Sequence, residues 1–236
     1  MKNLTWAILV AAGRDTQIES SVSTPFLFLN DRPVIAHVLG ALEQTAEIAG
    51  IVVVIDRENA SELLGLMKTY RFSKIRKIVG ASARRHTSLA SALEHVPSEV
   101  EFLCVLDASR PLVTSALIAE TAKTAWRYST VATAAEEILD PVATVKRNAY
   151  QSRIPASAGH LWTLLSPQVF PIDIFTATCA QKTRKSDDDL EAVLALYPKT
   201  APRLVPAPPA CHVGIRIRSV ADLATATSFL HDPNRI

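Results

Sequence analysis

A carboxylate and an arginine follow one of the most apolar stretches of the chain, in the sequence FLCVLDASRP at residues 102–111. Asp107 comes directly after the apolar run, and Arg110 lies three residues further on. Ligands of open α/β sheets bind outside the carboxyl ends of the strands, and Mg²⁺ is typically held by one or two carboxylates plus phosphate oxygens. Asp107 is therefore a candidate Mg²⁺ ligand beneath a polyphosphate. The alternative is that Asp107 caps a turn and pairs with Arg110.

A second candidate site is the small-residue segment GASARRHTS at 80–88, which leads into a predicted helix. The free backbone N–H groups at a helix N-terminus attract anions such as phosphates. Ordinary capping of the helix by Thr87 or Ser88 is the alternative interpretation.

Other residues that could do chemistry show weaker patterns. The acidic run SDDD at 186–189 predicts a helix start with carboxylates near the positive end of the helix dipole, and a metal site is the alternative. The six histidines have no metal-ligand spacing and no obvious triad partner. The dinucleotide-binding pattern GxGxxG fails after the first apolar run, because Asp15 and Ile18 stand where the later glycines belong.

The loop after the first apolar run, 6–12, has the position of a phosphate-binding loop but not its composition. Between Gly13 and Arg32 the only basic residue is Arg14, and no second glycine occurs. A polyphosphate loop needs glycines for close backbone approach and cations for charge neutralisation. The position indicates an enzyme that handles a nucleoside triphosphate, whereas the composition indicates that this handling is weakened, altered or lost.

Apolar runs and helical patterns alternate along the first half of the chain. Strands are predicted at 6–12, 51–55, 74–79 and 101–106, and helices at 33–47, 59–71, 86–96 and 114–127. Near-continuous apolar strands are typical of parallel strands that are covered on both faces. The alternation therefore predicts an open, doubly wound, mostly parallel α/β sheet. We expect one domain over residues 1–236.

The pattern changes in the second half. Turn residues and short alternating pieces at 136–158 predict a β-hairpin arm that leaves the main sheet. The remaining elements are a predicted strand at 161–165, helices near 171–181 and 187–196, a proline-rich extended connector at 197–209, a strand near 214–217 and a last helix at 220–230.

Composition excludes several classes of protein. A formal net charge of +2 over 236 residues is too small to indicate a nucleic-acid partner, and the longest apolar runs are far too short to span a membrane. The three cysteines are scattered without metal-ligand spacing, which favours a reducing, cytoplasmic location.

Several ordered motifs carry a family resemblance along nearly the whole chain. They are AAG at 11–13, LNDRPVI at 29–35, GASARRHTSL at 80–89, LDASRP at 106–111, ATVK at 143–146, LWTLLSPQVF at 161–170, SDD at 186–188 and GIRIR at 214–218. Together they resemble the 2-C-methyl-D-erythritol 4-phosphate cytidylyltransferases and their ribitol-phosphate relatives.

The resemblance implies a Rossmann-like nucleotidyltransferase fold of the GT-A-like type, with a β-arm that forms a homodimer. It also implies a reaction of isoprenoid biosynthesis, in which CMP passes from CTP to a sugar- or polyol-phosphate and pyrophosphate is released, with Mg²⁺ as cofactor. Catalytic roles fall to Asp107 and Arg216, the metal-ligand role to Asp107, and a substrate-binding role to Thr144. Nucleotide-binding roles fall to Ala11, Ala12, Gly13, Arg85 and Ser88.

The chain departs from the family pattern at several functional positions. Asp15 replaces a loop glycine, and Thr24 stands at the catalytic lysine. The other departures are Thr16 and Gln17 in the loop, Ala143 in the arm, and Ala158 and Val213 on the acceptor side. Loss of one oriented cationic donor costs on the order of 10²–10³ in rate, and Asp15 adds a charge that repels triphosphate.

Three hypotheses follow from these departures. The first is a working but divergent cytidylyltransferase, whose activity we expect to be weak. The second is a non-catalytic relative that kept the fold as a dimeric binding or interaction protein. The third is a transferase that uses another nucleotide or a smaller phosphate donor.

Overall fold

The structure is a computed structural model of the chain. It describes residues 3–12, 22–146, 149–153, 160–181, 186, 188–208 and 212–230, with the backbone alone at 143–146 and 149–153.

The described residues form one large sheet and two small hairpins. In chain order the strands are β1 (Thr5–Ala11), β2 (Phe28–Leu29), β3 (Arg32–Pro33), β4 (Ile48–Ile55), β5 (Ile75–Gly80), β6 (Phe102–Asp107), β7 (Ala132–Glu137), β8 (Ala143–Lys146), β9 (Ala149–Arg153), β10 (Trp162–Pro171) and β11 (Arg203–Pro206). The large sheet has seven strands in the order β11-β7-β10-β6-β1-β4-β5, and β2-β3 and β8-β9 pair separately.

Most pairs of the large sheet are parallel, as the sequence predicts. Strand β1 is parallel to both β4 and β6, β4 is parallel to β5, and β11 is parallel to β7. Strand β10 runs antiparallel to both of its neighbours, β6 and β7. The register pairs Val10 with Asp107 and Ile55 with Gly80, so these carboxyl ends share one edge of the sheet.

Helices cover both faces of the sheet. They are α1 (Val34–Gln44), α2 (Ala60–Tyr70), α3 (Arg85–Leu93), α4 (Ser115–Tyr128), α5 (Ile172–Cys179), α6 (Asp189–Leu196) and α7 (Val220–Leu230). Alternate residues of β1 point to opposite faces: Leu9 packs in the cluster with Leu39 of α1, and Ile8 in the cluster with Leu89 of α3. Burial of one such aliphatic side chain stabilises the fold by roughly 1.5–3 kcal/mol. The doubly wound α/β prediction is confirmed.

Two local predictions in the last third of the chain are wrong. Residues 214–217 form a loop rather than a strand, because they dock on the turn after β6: Ile217 N donates to Ser109 O at 2.8 Å. The connector at 197–209 contains β11, which extends the sheet beside β7. Its proline is tolerated because Pro206 is the last residue of an edge strand.

The β8–β9 hairpin lies within the predicted arm at 136–158, whereas Glu136 and Glu137 belong to β7 of the large sheet. None of the helices in the described ranges is both long enough and apolar enough to cross a bilayer.

Candidate active site

A cavity of about 350 Å³ opens at the carboxyl end of β6. Because β10 is antiparallel to β6, its residues before Ser166 extend past the end of β6 and form one wall. The helix starts of α3 and α6 and the loop before α7 complete the enclosure. The lining residues are Arg85, Val105, Asp107, Arg110, Leu164, Leu165, Ser166, Gln168, Asp188, Asp189 and Arg216.

Arg85 joins two carboxylates across one side of this cavity. Its Nη1 donates to Asp107 Oδ1 at 2.9 Å, and its Nη2 and Nε donate to Asp189 Oδ2 at 2.9 and 3.0 Å. Burial alone would lower the pKa of Arg85, but the charges of Asp107 and Asp189 outweigh it and raise that pKa. The guanidinium therefore stays charged and links α3, β6 and α6.

The turn that the sequence predicts after Asp107 is present, but the predicted ion pair is not. Arg110 N donates to the backbone oxygen of Asp107 at 3.2 Å, which closes the turn. The Asp107 carboxylate pairs with Arg85, and the Arg110 guanidinium donates from Nη1 to Gly214 O at 2.7 Å.

The acidic run starts α6, as predicted. The Asp188 side chain accepts a hydrogen bond from Glu191 N at 2.8 Å and is the N-cap. Asp189 has a second role that the sequence did not reveal: its side chain is only 2% exposed and holds Arg85. No motif marks Asp189, and its partner Arg85 is 104 residues away.

Mg²⁺ fits this cavity only if phosphate oxygens supply most of its ligands. Asp107 Oδ1 already accepts from Arg85, and Asp189 accepts two donations from the same guanidinium. Within the described ranges, no three acidic, histidine or cysteine side chains cluster as a metal site. Asp107 would hold the ion together with a bound triphosphate.

Ser88 closes the turn before α3 and does not line the cavity. Its Oγ accepts from Ser82 N at 2.9 Å and donates to Arg84 O at 3.2 Å, and the residue is buried. The helix itself begins at Arg85 without a side-chain cap, so the alternative interpretation, capping by Thr87 or Ser88, is wrong. The Arg57 side chain lies across Gly80, where a Cβ would be 2.9 Å from Arg57 Nε.

The first loop is described only at its two ends. Ala11 is the buried last residue of β1 and Ala12 follows it, both outside the cavity lining, while Gly13 and the substituted residues 15–17 lie outside the described residues. At the far end, Ser23 Oγ accepts from Asn59 Nδ2 at 2.8 Å, and Thr24 is buried at the start of a 3₁₀ turn. A buried hydroxyl therefore occupies the position of the expected lysine.

The opposite side of the cavity is built by two loops that hold each other. Arg110 donates to Gly214 O, and Arg216 Nε donates to Ser109 Oγ at 3.1 Å. Burial lowers the pKa of Arg110, with Arg216 and Arg218 adding to that effect and Asp107 and Glu136 opposing it. Predicted catalytic residues Asp107 and Arg216 therefore line the same cavity.

Two buried polar atoms of cavity-lining residues lack a hydrogen-bond partner among the described protein groups. They are Ser166 Oγ and Arg110 Nε. Buried polar atoms are nearly always satisfied, so water, a polar ligand or a group outside the described residues serves these two. Sequence reasoning missed Ser166, although it lies in the matched segment LWTLLSPQVF.

The chain as a whole matches one family. The family model for 2-C-methyl-D-erythritol 4-phosphate cytidylyltransferase matches residues 5–232. The chain belongs to this cytidylyltransferase family. The enzyme of that name from Desulforamulus reducens is 31% identical over 233 residues, covering 97% of this chain and 96% of the relative. The one from Bacillus cereus is 26% identical over 224 residues, covering 95% and 96%.

Solved structures of the family share the fold. The 4-diphosphocytidyl-2C-methyl-D-erythritol synthase of Anaerococcus prevotii superposes with a TM-score of 0.82 at 20% identity, covering 98% of this chain and 97% of its own. The cytidylyltransferase of Thermus thermophilus superposes with a TM-score of 0.73 at 23% identity, covering 95% and 98%. At these identities the likeness shows the nucleotidyltransferase fold.

The remaining positions of the family pattern are placed only in part. Thr144 lies on β8, where its backbone pairs with Ser152, and its substrate-binding role stays a prediction. Val213 is buried at 2% exposure, and Ala158 lies outside the described residues. A carboxylate is nevertheless close to Val213: Glu136 of β7 contacts the neighbouring Gly214.

Proposed function

We propose that this protein transfers CMP from CTP to a sugar- or polyol-phosphate of the 2-C-methyl-D-erythritol 4-phosphate type, at a low rate. The observation that carries the proposal is the cavity beside Asp107. One side holds a fixed carboxylate–arginine network, and the other holds Arg110, Arg216 and the unsatisfied Ser166 hydroxyl. Membership of a cytidylyltransferase family supports the same reaction.

In the proposed reaction, a phosphate oxygen of the acceptor bonds to the α-phosphorus of CTP. The bond from that phosphorus to the bridging oxygen breaks, and the electron pair leaves with pyrophosphate. Such transfers depend on positioning and on neutralising negative charge. Arg216 and Arg110 would neutralise the acceptor phosphate, and Ser166 Oγ would donate a hydrogen bond to it. Mg²⁺, when bound at Asp107, would supply charge neutralisation to the triphosphate.

The low rate follows from the first loop. Thr24 is a buried hydroxyl at the position of the catalytic lysine, and its neighbour Ser23 already accepts from Asn59. One missing cationic donor costs on the order of 10²–10³ in rate. We therefore expect turnover well below the ordinary range of about 1–10³ s⁻¹.

The second candidate function is a non-catalytic, homodimeric binding protein. The observation that favours it is the same neutral loop end, together with an Arg85 that is already neutralised by two carboxylates. A protein of this kind would bind a phosphorylated ligand without transferring CMP. The third hypothesis, another nucleotide donor, is distinguished by a thermal-shift screen across nucleoside triphosphates.

The deciding experiment measures pyrophosphate release with CTP, Mg²⁺ and 2-C-methyl-D-erythritol 4-phosphate. Asp107→Asn should remove the activity, whereas the control Asp173→Asn, an exposed residue of α5, should leave it intact. Absence of pyrophosphate over a panel of polyol phosphates would exclude the transfer. Calorimetric titration with CTP then separates a CTP-binding protein from one that has lost the nucleotide site.

Restoring the loop tests the stated cause of the low rate. The triple variant Asp15→Gly, Gln17→Arg and Thr24→Lys removes one repelling charge and adds two cations. We expect CTP affinity to rise by tenfold or more, since about 1.4 kcal/mol corresponds to tenfold. Because Thr24 is buried, unfolding must be measured in parallel. A folded variant with unchanged CTP affinity would show that the loop does not limit binding.

A further inference from the structure

Asp189 is a buried carboxylate to which the proposed transfer assigns no role. Its side chain is only 2% exposed, and its Oδ2 accepts from Arg85 Nη2 and Nε at 2.9 and 3.0 Å. The N-cap of α6 is the preceding residue, Asp188. Replacing a buried ion pair by apolar residues of similar volume is often neutral or stabilising. Neither capping nor the stability of the fold therefore requires an acidic residue at position 189.

The guanidinium of Arg85 connects the position of Asp189 to that of Asp107. A guanidinium is a planar, rigid fork, so a carboxylate that holds two of its nitrogens also fixes the direction of the third. In Arg85 the third nitrogen, Nη1, donates to Asp107 Oδ1 at 2.9 Å. Asp189 therefore determines which oxygen of Asp107 is occupied.

The other oxygen of Asp107 is available to a ligand. Asp107 is the last residue of β6, where the register with Val10 holds its backbone. Its carboxylate is 20% exposed and lines the main cavity, and no described residue donates a hydrogen bond to its Oδ2. The contact of Arg85 with Oδ1 alone thus leaves Oδ2 open.

The second carboxylate also changes the charge of the group. Arg85 and Asp107 alone would form a neutral pair, whereas Arg85 with both carboxylates carries a net negative charge. Because Asp189 is almost fully buried and Asp107 is partly exposed, a ligand meets this negative charge at Asp107. A cation in the cavity is attracted to such a group and not to a neutral pair.

We propose that Asp189 is a positioning residue for Asp107. It holds two nitrogens of Arg85, which keeps the third on Asp107 Oδ1 and leaves Oδ2 and a net negative charge facing the cavity. Without Asp189, Arg85 would pair with both oxygens of Asp107, as arginine and carboxylate frequently do. In one respect the inference rests on the proposed function: the cation that Oδ2 would meet is the Mg²⁺ of a bound triphosphate.

The first test compares crystal structures of the parent chain and Asp189→Ala. In the variant, Arg85 should turn to Asp107 and occupy both of its oxygens. The amide of Asp189→Asn has no charge to hold Arg85, so the same change is expected there if the alanine variant does not fold. An Asp107 that keeps Oδ1 on Arg85 Nη1 and Oδ2 open would overturn the proposal. This test needs no ligand.

The second test is a calorimetric titration of the full chain with CTP, in Mg²⁺ and in EDTA. Mg²⁺ should strengthen CTP binding by the parent, and Asp189→Ala should reduce that gain about tenfold, equal to about 1.4 kcal/mol. In EDTA the variant should bind CTP no more weakly than the parent, because a repelling charge has been removed. In an Asp107→Asn background, Asp189→Ala should have no further effect on the gain from Mg²⁺.

The matched control is Glu47→Ala. It removes a carboxylate that is 10% exposed and pairs with Lys123, just before β4 and therefore at the opposite end of the sheet. Its gain from Mg²⁺ should equal that of the parent. In Asp189→Ala, equal weakening in Mg²⁺ and in EDTA, or an unchanged gain from Mg²⁺, would show that Asp189 only maintains the fold. If the parent does not bind CTP while the crystal structures show the turn of Arg85, the proposed transfer and the role toward Mg²⁺ fail, and the positioning of Asp107 stands.

Discussion

The two sides of the main cavity use arginine in opposite ways. Arg85 is enclosed by Asp107 and Asp189 and makes three hydrogen bonds to them. Arg216 lines the opposite side, and Arg218 lies two residues further along the same loop; neither forms an ion pair with a carboxylate among the described residues. The enclosed arginine connects three elements of the fold, whereas the open ones are available to an anionic ligand. All three arginines carry the same charge, so the difference between them comes from their surroundings.

Removal of the Arg85 side chain, which is enclosed by two carboxylates, should have the largest effect on stability. Arg85→Ala leaves Asp189, whose side chain is 2% exposed, without its cation. Removal of one partner of a buried ion pair costs about 3–5 kcal/mol, so we expect that loss in the free energy of unfolding measured with urea. The control Arg84→Ala changes an exposed neighbour and should cost under about 0.5 kcal/mol. A loss below about 1 kcal/mol in Arg85→Ala would show that the network does not stabilise the fold.

The two carboxylates that pair with Arg85 should contribute differently to the free energy of unfolding. Asp189→Asn should destabilise the protein more than Asp107→Asn, because their side chains are 2% and 20% exposed. A hydrogen bond to a charged group is worth about 1.5–3 kcal/mol, and we expect Asp189→Asn to lose that amount. The comparison is made by urea unfolding of both variants. The reverse order would mean that exposure does not set the strength of these pairs.

The side of the cavity opposite Arg85 contains a buried hydroxyl, and its removal should not lower the stability of the fold. Ser166 Oγ has no partner among the described protein groups, so Ser166→Ala should change the free energy of unfolding by less than about 0.5 kcal/mol. The same variant should weaken binding of 2-C-methyl-D-erythritol 4-phosphate, measured by calorimetry. A large loss of stability would instead reveal a structural partner for Ser166.

The smallest effect on stability is expected at Arg218. Arg218→Gln removes a positive charge that acts unfavourably on Arg110 and favourably on Asp222, and it breaks no side-chain hydrogen bond within the described residues. Because these two effects oppose each other, the free energy of unfolding should stay within about 0.5 kcal/mol of that of the parent chain. Thermal unfolding at low ionic strength is the sensitive measurement. Marked destabilisation would place Arg218 with Arg85 as a structural residue.

The sequence predicts the sheet and part of the site for physical reasons. Apolar periodicity reports which strands are covered, and motifs place Asp107, Arg85 and Arg216 near one edge. It fails where partners come from distant segments, since nothing near Asp189 indicates that Arg85 will pair with it. Residues 214–217 alternate like a strand, but they form a loop that docks on the turn after β6. The apolar side chains of this loop, Ile215 and Ile217, pack in a small hydrophobic cluster instead of on the sheet.

The Arg85 network also has a consequence for the order of folding. Its two ion pairs connect residues that are 22 and 104 positions apart in the chain. Contacts across long separations must first overcome the entropy of loop closure, and they form slowly. During synthesis, Arg85 and Asp107 emerge long before Asp189. The Arg85 side of the cavity is therefore completed only after α6 has left the ribosome, and we expect it to be among the last parts of the molecule to become ordered.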